Sequence, residues 1–335
     1  MTIPRNAQAL NRLEALPRLP MAFLPTPLLP SPNLRTVLGA EAPPILVKMD
    51  DWTGLALGGN KVRKLEFVFG QMDPGTHTII TCGGPQSNHC RVTAASAAHL
   101  GLECILVVNG EPPNPPTGNS LLMRLFGAEI RPVAGRQDRA PGMEAAAEEV
   151  RAQGKRPLII PLGASTPLGA LGYVRAAVEL DRQMAEGGEW GSGRTWVFIS
   201  SSSCGTLAGL ALGFALLGRE EVRLVGVSPD ITAEEMVTTT RELVAGAAAL
   251  LGTEVELPAE LVTPDDRFVG EGYGIPTPAS LEAAAFFGRN AGMILDQTYT
   301  AKAGAGFLDW IREGRIPPGD TALFWHTGGA PAIFT

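Results

Sequence analysis

The amino-acid sequence predicts an α/β protein built as two doubly wound, three-layer α/β/α domains with mostly parallel sheets. Short apolar runs alternate along the chain with longer stretches of helical periodicity. Strands that are joined by helices pair in parallel, and the helices cover both faces of the sheet. The length of 335 residues exceeds what one hydrophobic core usually serves, so two domains are expected.

The elements are placed by these same patterns. The predicted strands are apolar runs at 45–49, 78–82, 103–108, 129–133, 158–161, 195–200, 223–228 and 322–326. The predicted helices are periodic stretches at 61–71, 88–100, 119–126, 143–153, 167–184, 206–217, 233–251, 279–288 and 303–313. Because parallel sheets bind ligands at the carboxyl ends of their strands, chemistry is expected in the turns that follow the strands.

The composition of the chain argues against nucleic acid, a membrane or a metal ion as a partner. The net charge of −7, from 27 basic and 34 acidic residues, leaves no basic footprint for nucleic acid or an anionic membrane. No apolar run approaches the roughly 20 residues that span a bilayer, and the polar start of the chain is unlike a secretory signal. Four scattered cysteines without metal-ligand spacing indicate reduced thiols in a cytoplasm and no metal site: Cys82, Cys90, Cys104 and Cys204.

Four turns after predicted strands share glycine with small polar residues. They are GGNK at 58–61, GGPQSNH at 83–89, SSSSCGT at 200–206 and TGG at 327–329. Glycine lets a ligand approach the backbone closely. Ordinary strand-to-helix turns with good N-caps are the alternative interpretation. Four such turns together favour one shared polar ligand.

The third of these turns has the features of a phosphate site. Ser203, Cys204, Gly205 and Thr206 precede a predicted helix, whose N-terminal N–H groups attract anions. No lysine follows the glycine as in a nucleotide-binding P-loop, and no G-x-G-x-x-G follows an early strand. A phosphate is therefore favoured over a nucleoside triphosphate or a dinucleotide, with a bare helix cap as the alternative.

Lys61 is the candidate nucleophilic amine. It opens a predicted helix, where the helix dipole disfavours the ammonium form and so lowers the pKa. A lysine that bonds covalently to a carbonyl needs such a pKa, whereas an ordinary surface lysine does not. Lys64 lies one turn on and faces the same side, where it reaches a phosphate or pairs with Glu66 or solvent.

The segment 48–66 (KMDDWTGLALGGNKVRKLE) resembles the cofactor-lysine segment of a family of pyridoxal 5′-phosphate (PLP) enzymes. That family contains 1-aminocyclopropane-1-carboxylate (ACC) deaminase and D-cysteine desulfhydrase. Four further segments agree in order and spacing: QSNH at 86–89, LGALGY at 168–173, GYGIP at 272–276 and HTGG at 326–329. The resemblance covers roughly residues 20 to 335.

The resemblance implies fold type II, the architecture of the tryptophan synthase β chain, with PLP in a cleft between two domains. It implies a discontinuous large domain at 1–54 and 164–335, a small domain at 55–163, and a homodimer. Lys61 matches the lysine that carries the cofactor and moves the α-proton. The residues that match the rest of the cofactor site are Asn60, Lys64, Asn88, Ser203, Cys204, Gly205, Thr206 and Thr327.

The same resemblance implies a site for a small amino acid. Gln86, Ser87, Asn88 and His89 match the cradle of the substrate carboxylate, with Ser87 near the reactive face. Tyr273 and Tyr299 match two tyrosines over the cofactor. A catalytic role for His89 is the weaker interpretation, because a histidine at a helix start usually bonds to nearby backbone.

Residues near the end of the chain distinguish the members of the family. The segment 295–302 (LDQTYTAK) resembles LDPVYTGK of D-cysteine desulfhydrases, whereas deaminases carry VYEGK, with glutamate where this chain has Thr300. Thr327 is then the candidate partner of the pyridine nitrogen. The chain departs from the family pattern at Trp52, Cys204, Gln297, Ala301 and Trp325, which puts the substrate in doubt.

The expected reaction is therefore PLP-dependent β-elimination from D-cysteine, giving pyruvate, ammonia and sulfide. ACC deamination is the second hypothesis, and Thr300 argues against it. L-Cysteate or another β-substituted alanine is an alternative substrate. A non-catalytic binding protein on the same scaffold is disfavoured, because the four catalytic candidates are all present: Lys61, Ser87, Tyr273 and Tyr299.

Overall fold

The computed structural model describes residues 5–188 and 193–335. The strands are β1 (Leu28–Pro30), β2 (Ile45–Met49), β3 (Thr78–Gly83), β4 (Glu103–Asn109), β5 (Glu129–Val133), β6 (Pro157–Ile159), β7 (Thr195–Ser200), β8 (Val222–Val227), β9 (Val262–Asp265) and β10 (Thr321–His326). The helices are α1 (Arg5–Ala15), α2 (Pro32–Leu38), α3 (Lys61–Gly70), α4 (Asn88–His99), α5 (Gly118–Leu125), α6 (Arg139–Ala152), α7 (Pro167–Gly187), α8 (Gly205–Leu217), α9 (Ala233–Leu250), α10 (Pro278–Ala291) and α11 (Thr300–Arg312).

Two sheets organise the chain. The larger sheet has the strand order β1-β2-β10-β7-β8-β9 and is parallel except for β1, and the smaller sheet has the order β5-β4-β3-β6 and is parallel throughout. The predicted α/β class with mostly parallel sheets is confirmed. All four strands of the smaller sheet fall inside the segment 55–163, although the domain boundaries themselves stay a prediction.

Two strands were missing from the sequence prediction, and both lie at edges of the larger sheet. Strand β1 ends in Pro30, and β9 contains Pro264. Proline donates no hydrogen bond to a sheet ladder, so it occurs at edges and makes a short run look like a turn. Helices α1 and α2 were also missing. No helix among the described residues has the length and apolarity required to cross a membrane.

Glycines bring three helices unusually close together. A Cβ built on Gly172 of α7 would lie 2.2 Å from the carbonyl oxygen of Arg63 in α3. A Cβ on Gly209 of α8 would lie 2.2 Å from the carbonyl oxygen of Ala170. Because both contacts are to backbone, no side chain fits at either position. The LGALGY segment of α7 therefore packs directly against the backbone of α3, the helix that begins at Lys61, and against α8.

A buried network of charges fixes the same helix. Arg63 donates to both oxygens of Asp50, from Nη2 at 2.8 Å and from Nε at 2.9 Å, and it pairs with Glu179 at 2.8 Å. Lys48 donates to Glu179 at 2.6 Å, and the Tyr173 hydroxyl donates to Asp50 at 2.6 Å. Two cations thus face two carboxylates, which satisfies the buried charges. The network joins α3, the end of β2 and α7.

Acid should weaken this network in a defined pH range. Burial alone would raise the pKa of Asp50, but Arg63 lowers it to about 2. A carboxyl group whose pKa is depressed on folding stabilises the fold above its unfolded pKa of about 4, and that contribution is lost as pH falls toward 2. We expect the difference in unfolding free energy between wild type and Asp50→Asn to shrink by about 2 kcal/mol from pH 5 to pH 2.

Urea unfolding at several pH values measures this difference. Asp73→Asn is the matched control, because Asp73 forms an exposed pair with Arg156 and is 59% exposed. The control should track wild type at every pH. A constant gap between wild type and Asp50→Asn across this range would contradict the prediction.

Candidate functional site

One cavity collects the four glycine-rich turns singled out in the sequence. It is lined by residues that follow β3, β7 and β10 and by the first turn of α3, and it has about 860 Å³ of empty space including its open mouth. The carboxyl ends of strands from both sheets therefore face the same space, as expected for open parallel sheets.

Lys61 begins α3 and lines this cavity. Its Nζ donates to Asn60 Oδ1 at 3.0 Å, and Asn60 Nδ2 donates to Thr206 Oγ1 at 3.0 Å. Burial lowers the pKa of Lys61 to about 8, against the opposing charge of Asp296 and with help from Arg91. About a tenth of the amine is thus uncharged at pH 7, far more than for a lysine with the ordinary pKa of about 10.4, and the uncharged form is the nucleophile. The structure does not place Lys61 as an ordinary surface lysine.

The segment before Lys61 has an uncommon backbone. Ala56 and Leu57 have φ of +51° and +66°, values that side chains with a Cβ rarely adopt. Arg91 of α4 holds this segment by donating to the carbonyls of Ala56 and Gly58. Because Arg91 lies in a helix without a turn signal, its position in the sequence gave no hint of this role.

The first turn of α8 is a ready anion site. Helix N-termini point unpaired N–H groups outward and carry a partial positive charge. The hydroxyl groups of Ser200 and Ser201 are buried next to this turn and have no partner among the described residues. An anion at this position would supply that missing acceptor. Ser203, Cys204, Gly205 and Thr206 line the cavity as predicted from the sequence.

Lys64 approaches this anion site from α3. Its Nζ donates to Ser165 Oγ at 2.9 Å, and Ser165 Oγ lies 2.7 Å from Ser203 Oγ. Burial, followed by the charge of Lys61, lowers the pKa of Lys64 well below its usual value. The alternative pairing of Lys64 with Glu66 is wrong, because Glu66 pairs with Arg18 instead. Ser165 was missed, since it resembles an ordinary residue before the N-cap of α7.

The start of α4 forms another wall. Ser87 caps the helix by accepting from Cys90 N at 3.2 Å, and Asn88 Oδ1 accepts from Asn119 at 2.9 Å. His89 contacts Thr81 Oγ1 at 2.8 Å, not backbone, and burial together with Lys61 and Lys64 lowers its pKa well below the usual value. A neutral His89 therefore lines the cavity beside Ser87 and Asn88.

Gln86 is not placed as expected. Its side-chain oxygen accepts from Asn119 N at 2.8 Å, and its nitrogen donates to Thr117 O at 3.2 Å. Both bonds tie Gln86 to the start of α5, and the residue does not line the cavity. A direct substrate contact by the Gln86 side chain is therefore not supported. Gln86 instead anchors the turn that presents Ser87.

Tyr273 and Tyr299 meet at the cavity. Their hydroxyl groups are hydrogen-bonded to each other, and their rings form an edge-to-face pair with centroids 5.6 Å apart. Burial raises the pKa of Tyr273 and raises that of Tyr299 well above its usual value, so both phenols stay protonated. Asp296 fixes Tyr299 by accepting its backbone N–H at 2.9 Å. Thr300 donates to the same carboxylate at 2.7 Å and does not line the cavity.

Thr327 lines the cavity at the end of β10, and its backbone is tied to the lysine loop. Its carbonyl accepts from Asn60 N at 3.0 Å. A Cβ on Gly328 would lie 2.7 Å from the Cα of Gly59, so the two segments cross at a glycine pair. This crossing fixes the distance between Thr327 and Lys61.

Most departures from the family pattern lie away from the cavity. Trp52 is 56% exposed, and Trp325 packs edge-on against Tyr173. Gln297 accepts from Ser280, and Ala301 is buried in α11. The expectation that Trp52 reshapes the substrate pocket is therefore not supported. Of these departures, only Cys204 lines the cavity.

Three charged residues that the sequence did not indicate also line the cavity: Arg136, Arg139 and Asp230. Arg136 and Arg139 come from the segment that leads into α6, and Asp230 comes from the loop after β8. Arg136 donates to both oxygens of Asp230 at 3.3 Å. This pair connects the segment before α6 to the loop after β8 of the larger sheet. Neither segment follows the glycine-rich pattern used to find the other residues.

Known proteins are similar to this chain over nearly its whole length. A family model described as "Pyridoxal-phosphate dependent enzyme" matches residues 19–328. A protein named D-cysteine desulfhydrase from Salmonella choleraesuis (strain SC-B67) is 40% identical over 338 residues, covering 97% of this chain and 98% of the relative. The protein of the same name from Salmonella paratyphi B (strain ATCC BAA-1250 / SPB7) shows the same identity and coverage.

Solved structures are also similar. The crystal structure of an ACC deaminase homologue is 35% identical with a TM-score of 0.87, covering 98% of this chain and 96% of the homologue. Threonine deaminase isoform 2 from Solanum lycopersicum is 17% identical with a TM-score of 0.67, covering 97% and 84% of the two chains. The second likeness shows the shared fold alone.

The backbone of the anion site yields a stability prediction. Cys204 has a φ of +57°, in the left-handed region that favours glycine. We expect Cys204→Gly to be more stable than Cys204→Ala by about 1 kcal/mol, because alanine keeps the left-handed strain. Urea unfolding of both variants measures the difference.

Cys90 supplies a matched control with the opposite sign. It is buried inside α4, where glycine costs about 1 kcal/mol relative to alanine. Cys90→Gly should therefore be less stable than Cys90→Ala. If alanine were the more stable replacement at both positions, strain at Cys204 would be refuted.

Proposed function

The chain belongs to the pyridoxal-phosphate dependent enzyme family, and from this premise we propose that it is a lyase that eliminates the β-substituent of a small amino acid. D-Cysteine is the proposed substrate, with pyruvate, ammonia and sulfide as products. The observation that carries the proposal is the position of Lys61, a half-buried amine that lines the same cavity as the 203–206 turn and the tyrosine pair. Relatives named D-cysteine desulfhydrase, 40% identical over nearly the full chain, support the substrate.

The residues of the cavity fit the cofactor. Lys61 would hold its carbonyl carbon, and the 203–206 turn with Lys64 would hold its phosphate, which also satisfies the unpaired hydroxyls of Ser200 and Ser201. Asn60 links these two regions. Asn88 would bond the 3′-oxygen, and Thr327 would face the ring nitrogen. When bound, pyridoxal phosphate supplies an electron sink for the charge that develops at the substrate Cα.

The chain's own groups then have distinct roles. Lys61 Nζ accepts the Cα proton, because a pKa lowered to about 8 suits an amine to act as a base near neutral pH. The N-terminus of α4, with the Ser87 hydroxyl, receives the substrate carboxylate. Tyr273 and Tyr299 stay protonated and provide an O–H donor for the departing group. Asp296 is a positioning residue that holds Tyr299.

ACC deamination is the second candidate, supported by the similarity to an ACC deaminase homologue at 35% identity. Two features of the site argue against it. Thr300 stands where deaminases carry glutamate, and its hydroxyl is bonded to Asp296. Among the described residues that line the cavity, Asp230 is the one carboxylate, and it is bonded to Arg136. A hydroxyl group at Thr327 gives the ring nitrogen a weaker partner than a carboxylate would.

We expect the PLP-loaded protein to release pyruvate and sulfide from D-cysteine and no 2-oxobutyrate from ACC. Lys61→Ala should lower kcat at least about a thousandfold, since both the covalent anchor and the base are lost. Lys155→Ala is the matched control, because Lys155 pairs with Glu103 at the surface. Pyruvate and sulfide assays on these proteins measure the effect. Full turnover by Lys61→Ala, or silence of wild type on D-cysteine, would contradict the proposal.

We also propose that the enzyme is a cytoplasmic homodimer. The four cysteines are free and buried, as suits a reducing compartment. Phe23, Trp52 and Leu57 are 75%, 56% and 61% exposed, and Phe23 lies against Gly54, so they form an apolar patch next to the lysine loop. Such a patch is typical of an interface between copies.

Light scattering of the purified protein tests the assembly. Wild type should have twice the mass of the 35.2 kDa chain, and Trp52→Asp should shift it toward the monomer, because a charge in an apolar interface is left unpaired. Phe334→Asp is the control, since Phe334 is 68% exposed at the other end of the chain. A monomeric wild type would exclude the homodimer.

A further inference from the structure

The cationic side chains of the cavity outnumber its carboxylates. Lys61, Lys64, Arg136 and Arg139 line it, and Asp230 is the single carboxylate among the described lining residues. Lys64 belongs to the anion site at α8, and Lys61 belongs to the cofactor. Arg136 lies just before α6, and Arg139 is the first residue of that helix. Neither positive charge is needed to hold the cofactor or to bind the substrate's α-carboxylate in the roles proposed above.

Arg136 already has partners. Its Nη1 lies 3.3 Å from both oxygens of Asp230, and its guanidinium lies 4.9 Å from the centre of the Tyr273 ring. The side chain is 51% exposed, so it stands at the mouth of the cavity. Arg136 therefore neutralises Asp230 and packs over a catalytic tyrosine. It leaves Arg139 as the cation without an acidic counterpart.

Arg139 is held in place by a neutral group. Its Nε donates to Asn109 Oδ1 at 2.9 Å, and its Nη2 donates to the same oxygen. In the described part of the chain, no carboxylate lies within ion-pair distance of Arg139, and its Nη1 has no hydrogen-bond partner. Asn109, at the end of β4, thus fixes the direction of the guanidinium without neutralising it. A pre-oriented guanidinium with a free edge is suited to binding an anion.

The substrate's own carboxylate does not account for this charge. That carboxylate is assigned to the N-terminus of α4, where Ser87 and the backbone N–H groups provide donors without Arg139. The cofactor phosphate is assigned to α8 and Lys64. A second negative charge on the substrate itself is what remains. In an amino acid that undergoes β-elimination, the position for that charge is the β-substituent.

We propose that Arg139 is a specificity-determining residue that binds a negatively charged β-substituent, so that the preferred substrates are β-substituted alanines whose substituent is already anionic before the bond breaks. The class includes cysteine reacting as its thiolate and, with a permanent charge, alanine carrying a β-sulfonate. The inference rests on the proposed β-elimination and narrows its substrate class. Asn109 is the positioning residue of Arg139.

The reaction balances without any further reagent. The electrons of the Cα–H bond form the Cα–Cβ double bond, and the proton goes to Lys61. The electrons of the Cβ–S bond leave with the substituent. A sulfonate leaves as sulfite, and a thiolate takes a proton from the Tyr273–Tyr299 pair and leaves as hydrosulfide, after which the pair regains a proton from solvent. The released enamine moves a proton from nitrogen to Cβ, and water then replaces the nitrogen, which gives pyruvate and ammonia. Arg139 contacts the sulfonate or thiolate, which carries its negative charge before the bond breaks.

Arg139→Gln tests the inference through a comparison of leaving groups. Loss of a charge-assisted hydrogen bond should lower kcat/KM for D-cysteate about tenfold or more. The kcat/KM for β-chloro-D-alanine, whose substituent is neutral in the substrate, should change by less than about threefold. Arg151→Gln, on the exposed side of the same helix, is the matched control and should match wild type. Equal losses on both substrates, or no loss on either, would overturn the proposal.

A binding measurement separates this inference from the proposed function. Calorimetric titration of the PLP-loaded protein with succinate and butyrate compares two four-carbon acids that differ by one carboxylate. Succinate should bind wild type about tenfold more tightly than butyrate, and the difference should fall below about threefold in Arg139→Gln. Because no turnover is needed, this result holds or fails even if D-cysteine is not a substrate. Equal affinities of the two acids for wild type would reject the second-anion site.

Discussion

The buried pairing of Arg63 with Asp50 and Glu179 is the constraint on which the rest of the structure depends. Arg63 and Lys61 share the first turn of α3 but lie on different faces of the helix. Arg63 is fixed to the end of β2 and to α7, so Lys61 is directed into the cavity. Gly172 adds a backbone contact that rules out sliding of α3 along α7. The orientation of the reactive amine is therefore set by charges that never contact a ligand.

Strain next to Lys61 complements this rigid support. The left-handed backbone at Ala56 and Leu57 costs of the order of 1 to 3 kcal/mol per residue, and it persists only where neighbouring structure enforces it. Arg91 supplies that enforcement through two carbonyls, and the crossing of Gly59 with Gly328 supplies the remainder. The same guanidinium also disfavours a charge on Lys61. One buried arginine thus shapes both the loop and the acidity of the amine.

Much of this arrangement was predictable from the sequence, for a definable reason. Residues placed by a strand end or a helix start were found, because those positions follow from apolar runs and glycine-rich turns; Lys61, Ser87 and Thr327 are examples. The side chain of Gln86 lies outside the cavity, because a motif predicts the path of the backbone but not which neighbour a long side chain bonds to. Arg139 was missed because its place depends on the docking of α6, which no local pattern encodes.

The basic residues of the cavity form two groups, the lysines of α3 and the arginines near the start of α6. Lys61 and Lys64 lie close enough that each disfavours the protonation of His89, which stays neutral and bonds to Thr81. An anion at the start of α8 offsets Lys64 and removes part of that repulsion. Near the start of α6, Asp230 neutralises Arg136, whereas Asn109 binds Arg139 without neutralising it. Arg136 is bonded to a carboxylate, whereas Arg139 is bonded to an amide. A further negative charge in the cavity is therefore stabilised next to Arg139.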